Sequence, residues 1–144
     1  MSQYSIIFIP VIGALVAQLA KVIGALYHRQ FTWHVWKEYG GMPSAHAAFV
    51  FAALTEVALL DGVASTSFIL ALVLTVVIVR DASGYRRTMD HHAATLNRLI
   101  DELPAARQTH YTTFDSTMGH TPWQITVGAV IGALVAWLGL GWLG

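Results

Sequence analysis

Apolar residues run along this chain in long blocks, without the strict alternation of a half-buried strand or the narrow stripe of a soluble helix. Four blocks have the makings of membrane-spanning helices, which need about 20 mostly apolar residues within a range of about 17–25. Residues 4–27 are apolar apart from Gln18 and Lys21, and contain Pro10. Residues 44–60 carry His46 near one end and Glu56 near the other. Residues 62–79 hold no charge. Residues 121–143 hold none either, and place Trp123 and Trp142 near the two ends, as an interfacial aromatic belt does. The first block lacks the basic residues that begin a cleavable signal peptide, so it is expected to remain as a span.

Polar connections over 28–43 and 80–120 separate these blocks. The longer one gathers five of the eight basic and five of the eight acidic residues. Within it Ala93, Leu96, Leu99, Ile100 and Leu103 recur at three- and four-residue spacing. That pattern predicts an interfacial amphipathic helix over 85–103, stopped by Pro104. The expected fold is all-α: a single integral membrane domain with four transmembrane helices and one interfacial amphipathic helix. Parity places both polar connections at one face of the membrane and both termini at the other. The face with the connections holds all the lysines and arginines outside the spans. The positive-inside rule therefore makes it cytoplasmic, with the bacterial inner (plasma) membrane as the expected location.

Composition agrees with this pattern. Hydrophobic residues make up 56% and charged residues 11%, against roughly 25% charged in soluble domains, and mean hydropathy is +0.57. A water-soluble globule and a disordered chain are both excluded. Eight Lys and Arg balance eight Asp and Glu, so no net field draws nucleic acid, and membrane lipids are the expected partners. The absence of Cys excludes disulfides, thiol nucleophiles and cysteine-ligated zinc. Gly128, Gly132 and Ala136 fall at four-residue spacing, a small-residue stripe suited to close helix packing, either within the monomer or in a homodimer.

Three clusters carry candidate chemistry, each where a polar connection meets a span. In Gly40-Gly41-Met42-Pro43-Ser44-Ala45-His46, glycines let the backbone approach a ligand, Ser44 can cap a helix, and the helix start favours an anion. Arg80-Asp81-Ala82-Ser83-Gly84-Tyr85-Arg86-Arg87 offers paired arginines that suit a phosphate clamp. The following Asp90, His91 and His92 have metal-ligand chemistry, but adjacent helical histidines point about 100° apart and rarely share one ion. No metal and no cofactor is expected. In Gly119-His120-Thr121-Pro122-Trp123-Gln124-Ile125, the Gln124 side-chain oxygen, four residues on, can hold the His120 imidazole in one tautomer. Two histidines, several cations and a glycine-rich helix start at one face supply what phosphoryl transfer needs: donors for the equatorial oxygens, a nucleophile and an acid.

These motifs resemble, in order and over nearly the whole chain, the divergent branch of the type-2 phosphatidic acid phosphatases, relatives of the vanadium-dependent haloperoxidases. The resemblance implies a metal-independent lipid phosphatase acting through a phosphohistidine. It implies that Ser44 binds phosphate, His46 is the general acid, His120 is the nucleophile, and Gln124 stands where an orienting Asp is usual. Arg86 and Arg87, with Gly41 and either Lys21 or Lys37, would complete the phosphate site, and Asp81 would support it. Ala45 replaces the usual Gly, and the usual Lys and Arg-Pro motif is not recognisable. In that superfamily the arginine closely precedes the nucleophile, whereas here 32 residues separate Arg87 from His120. Pairing Arg86 with His92 restores the short spacing but leaves Leu96 where the acceptor should be. The competing class is a non-catalytic membrane protein that binds anionic lipid head groups or stabilises a membrane assembly.

Overall fold

The computed structural model describes residues 5–27, 41–108 and 110–143. Six α-helices make up the described chain: α1 (Ser5–Tyr27), α2 (Ala45–Leu60), α3 (Thr66–Arg80), α4 (Arg86–Asp101), the single turn α5 (Ala105–Gln108) and α6 (Pro122–Leu143). Three continuous helical stretches are long and apolar enough to cross a bilayer: Ile7–Tyr27, Thr66–Asp101 and Pro122–Trp142. Ala45–Leu60 is a shorter apolar helix.

The third span starts four residues later than its hydropathy predicts. Gly62 takes φ +84, a left-handed value that ends α2 without steric penalty. Ser65 then caps α3, accepting from Phe68 N–H at 3.1 Å while its own hydroxyl donates to Gly62 O at 2.8 Å. The amphipathic helix is present and continues directly from α3 through Gly84. Thr66–Asp101 forms one helical run of 36 residues, interrupted only by a π-helical turn at Asp81–Tyr85.

α2 lies at the centre, packed against α6, α1 and α3, and α1 also packs on α6. The seam is built from small residues. A side chain at Gly128 would collide with Ser44 O, and one at Gly132 with Ala48 O. Gly13 of α1 approaches the same place, beside Ala52 and Ala48. Ala17, Ala48, Ala52 and Ala136 are fully buried, while Leu15, Val73, Val77 and Leu138 face outward. In lipid, close backbone packing of small residues replaces the hydrophobic drive of a soluble core. The stripe of Gly128, Gly132 and Ala136 is thus used inside the monomer, buried among the other helices.

Candidate active site

α1, α3 and its π turn, α2 and α6 bring their polar ends together at one end of the bundle. There a cleft of about 250 Å³ is lined by His46, Ile78, Asp81, Ala82, Arg86, Met118 and His120. Each motif found in the sequence contributes to it.

Ser44 is fully buried and is the N-cap of α2, its Oγ accepting from Ala47 N–H at 3.3 Å. Its own N–H donates to Gln124 O at 3.2 Å, which ties the start of α2 to the start of α6. His46 follows on the first turn of α2 and opens to the cleft. Gly41 adopts φ +98, and the Lys21 side chain lies across it, so close that an added Cβ would meet Lys21 Cε at 2.8 Å. Lys21 is thereby buried at the site end of α1, 9% exposed. Lys37 and Gly40 lie outside the described residues.

The π turn aims the arginine. Residues five apart on an α-helix sit about 140° apart around its axis, too far to pair. Across the wider turn, Arg86 N–H reaches Asp81 O and Arg86 Nε reaches Asp81 Oδ2 at 2.7 Å. With Nε held, the terminal guanidinium nitrogens remain as a fork toward the cleft. Arg87 is exposed and does not line the cleft. Its backbone packs against Gly119, where a Cβ would lie 2.7 Å from Arg87 Cα.

His120 reaches the cleft by a long detour. The segment after α4 folds back along that helix, fastened at successive levels. Gln108 Nε2 donates to Asp101 O at 3.0 Å and Leu103 O at 2.8 Å. The Asn97 amide pairs with the Phe114 backbone through two bonds of 2.9 Å. Asp90 accepts from Met118 N–H at 2.8 Å and Gly119 N–H at 2.7 Å. Last, His120 N–H donates to Ala82 O at 3.1 Å. The imidazole is delivered buried, 5% exposed, and its Nδ1 has no hydrogen-bond partner among the described residues. Burial, the largest influence, holds His120 below the usual histidine range. The Gly119 backbone pulls the other way, and positive charge on His46, Lys21 and Arg86 adds to the lowering.

Two sequence expectations change here. Gln124 does not hold His120. Its Oε1 accepts from Thr121 N–H at 2.8 Å while Thr121 Oγ1 accepts from Gln124 N–H at 3.3 Å, a reciprocal capping box at the start of α6. Asp90, weighed in the sequence only as a metal ligand, instead fastens the His120 loop. No three His, Asp or Glu side chains among the described residues come together as a metal site requires. His92 lines a neighbouring depression with Met89, Leu96 and Phe114, which shares Met118 with the cleft but neither His46 nor His120. The structure therefore groups His46 with His120 and leaves His92 apart.

A family model described as the divergent PAP2 family matches residues 2–135. The uncharacterized membrane protein YuiD of Bacillus subtilis (strain 168) is 31% identical over 131 residues, covering 83% of each chain. No solved structure matches. Together with the three long apolar helices, the likeness to a membrane protein makes this chain an integral membrane protein.

Proposed function

Because the chain belongs to the divergent PAP2 family, we propose that it is a membrane-embedded phosphatase for lipid phosphates, working through a phosphohistidine and without a metal. The observation that carries this reading is the meeting of His46, His120 and the Asp81-oriented Arg86 in one small cleft. Arg86 and Lys21 hold the phosphate oxygens and take up the charge that develops on them. The His120 imidazole attacks phosphorus in line, forming an N–P bond as the P–O bond to the lipid breaks. His46 gives its proton to the departing lipid oxygen. It then takes a proton from water, which cleaves the N–P bond and releases phosphate. A neutral imidazole is the reactive form, and the lowered proton affinity of His120 keeps it neutral. Ser44 and the Gly41 backbone act here by shaping the start of α2, with Arg87 outside the clamp.

The assay is phosphate release from a phosphatidic acid in detergent, with and without orthovanadate, a mimic of pentacoordinate phosphorus, and with and without EDTA. Inhibition by vanadate with retention in EDTA is the expected result. One observation favours a non-catalytic lipid-binding protein instead: the Gln124 oxygen is engaged by Thr121 and does not activate His120. An absence of turnover over several lipid phosphates would select that reading.

The acid limb of kcat/KM should report His120. Its neutral form is active and its folded-state pKa lies below 6.5. Because His46 must carry a proton to act as the acid, the pH–rate profile is expected to be bell-shaped, with its acid limb, set by His120, below the usual histidine range.

Asp90→Asn leaves one of the two loop N–H groups without its acceptor. A displaced nucleophile should lower kcat by up to about 10²-fold with KM little changed and helix content by circular dichroism intact. An unchanged kcat would remove Asp90 from any positioning role.

The active face is proposed to be cytoplasmic, in the bacterial inner membrane, on the charge asymmetry of the connections. A cysteine replacing Asp61 should then label with an impermeant thiol reagent in intact cells, and one replacing Gln108 should stay protected. The reverse pattern would invert the orientation.

A further inference from the structure

A second meeting of apolar and charged surface lies outside the cleft. Between α2 and α3 runs a groove of about 670 Å³, within the range of about 300–1,000 Å³ typical of small-molecule sites. Phe51, Leu54 and Val76 form its walls along the spans, and Arg80 and Ser83 stand at its polar end. Thr75 also borders it, but its hydroxyl proton is directed to Ala71 O at 2.8 Å, so the wall there offers no donor. Ser83 likewise directs its proton inward, to Val79 O at 2.7 Å. That leaves Arg80 as the cation at the head of the groove. Its side chain is exposed at the end of α3 and forms no ion pair among the described residues. Arg86, by contrast, is paired with Asp81. The groove and the His46–His120 cleft share no lining residue.

We propose that this groove seats an acyl chain of an anionic glycerophospholipid, with the lipid phosphate on Arg80. A guanidinium at the membrane–water boundary without a protein counter-ion is stabilised by an anion there, and its fork matches a phosphate bidentately. The walls below it, Phe51, Leu54, Leu72 and Val76, match hydrocarbon, and the remaining polar side chains, Tyr85 and Thr88, follow Arg80 in the chain. A soluble phosphate would satisfy Arg80 and leave the groove unfilled. A zwitterionic lipid would fill the groove but bring its own cation to the arginine. This lipid is a bound companion of the fold rather than a substrate, so the proposal requires no hydrolysis and stands independently of the phosphatase reading.

The test is native mass spectrometry of the full chain in detergent, titrated with phosphatidylglycerol and with phosphatidylcholine of the same acyl chains. Phosphatidylglycerol should be retained in preference. Arg80→Gln should weaken its binding about tenfold, the scale of a charge-assisted hydrogen bond, and leave phosphatidylcholine unaffected. Val76→Trp, which fills the groove, should weaken both lipids. Arg107→Gln, on the exposed turn of α5, is the control and should change neither. Glycerol phosphate should fail to displace the bound lipid. Equal effects of Arg80→Gln and Arg107→Gln would overturn the proposal, as would displacement by glycerol phosphate. Arg80 is exposed, so its replacement does not threaten folding and the result is decisive even if Val76→Trp does not fold.

Discussion

His120→Ala is expected to reduce phosphate release to background, by at least about 10³-fold, because the covalent route disappears with the nucleophile. The fold should persist. The loop is held through the main chain, by Asp90 on Met118 and Gly119 and by Ala82 O on the residue at 120 itself, and alanine keeps all three bonds. His46→Ala should lower turnover by at least about 10²-fold, the usual contribution of a general acid. His92→Ala should leave it near normal, since His92 lies in another depression. Acid-labile phosphate trapped on the wild-type chain, and missing from His120→Ala, would identify the intermediate. An active His120→Ala beside an inactive His92→Ala would transfer the nucleophile to the shorter arginine–histidine spacing and end the reading given above.

The second large effect is on the bundle itself. At Gly132, a Cβ would strike Ala48 O and lie 2.8 Å from Ala48 C and 2.9 Å from Ala48 Cα. These are backbone atoms of the central helix and cannot rotate away. Gly132→Leu should therefore separate α6 from α2, at the upper end of overpacking penalties, about 3 kcal/mol. It should appear as early thermal unfolding in detergent and rapid proteolysis. Gly24→Ala is the matched control, with nothing within 4 Å of its added Cβ, and should be neutral or slightly stabilising in a helix. Equal melting of the two variants would mean that the α2–α6 seam is not what holds the bundle together.

The spans were legible because a bilayer demands long apolar runs, and hydropathy reads length directly. Ser44 was legible as a cap for the same kind of reason: its hydroxyl acts on a backbone N–H only three residues on. The true start of α3 was written in Ser65 and the left-handed Gly62, but an apolar window averages over both. Thr121-Pro122-Trp123-Gln124 has the spacing of a capping box, yet Gln124 also stands where its oxygen could hold His120. A side-chain oxygen four residues beyond a histidine fits two local partners equally, and only geometry chooses. Asp90 and Asn97 left no readable signal as clasps, since they bind main-chain groups of residues 114 and 118–119 whose identities are indifferent to being held. The small-residue stripe announced close packing, but no sequence pattern says which helix it will meet.

The clasps along α4 have a consequence for how this chain could have come by its unusual motif spacing. α4 climbs away from the cleft and the following segment descends beside it, so the chain leaves at Arg86 and returns at His120 to almost the point of departure. Measured through space, the 33 residues between them amount to an insertion at a single place. The excursion can lengthen or shorten without disturbing the cleft, provided both limbs change together and the rungs nearest the membrane, at Asp90 and Ala82, are kept. Its tip, around Pro104, is then the natural place in this protein to graft a tag or a further domain, or for evolution to do so.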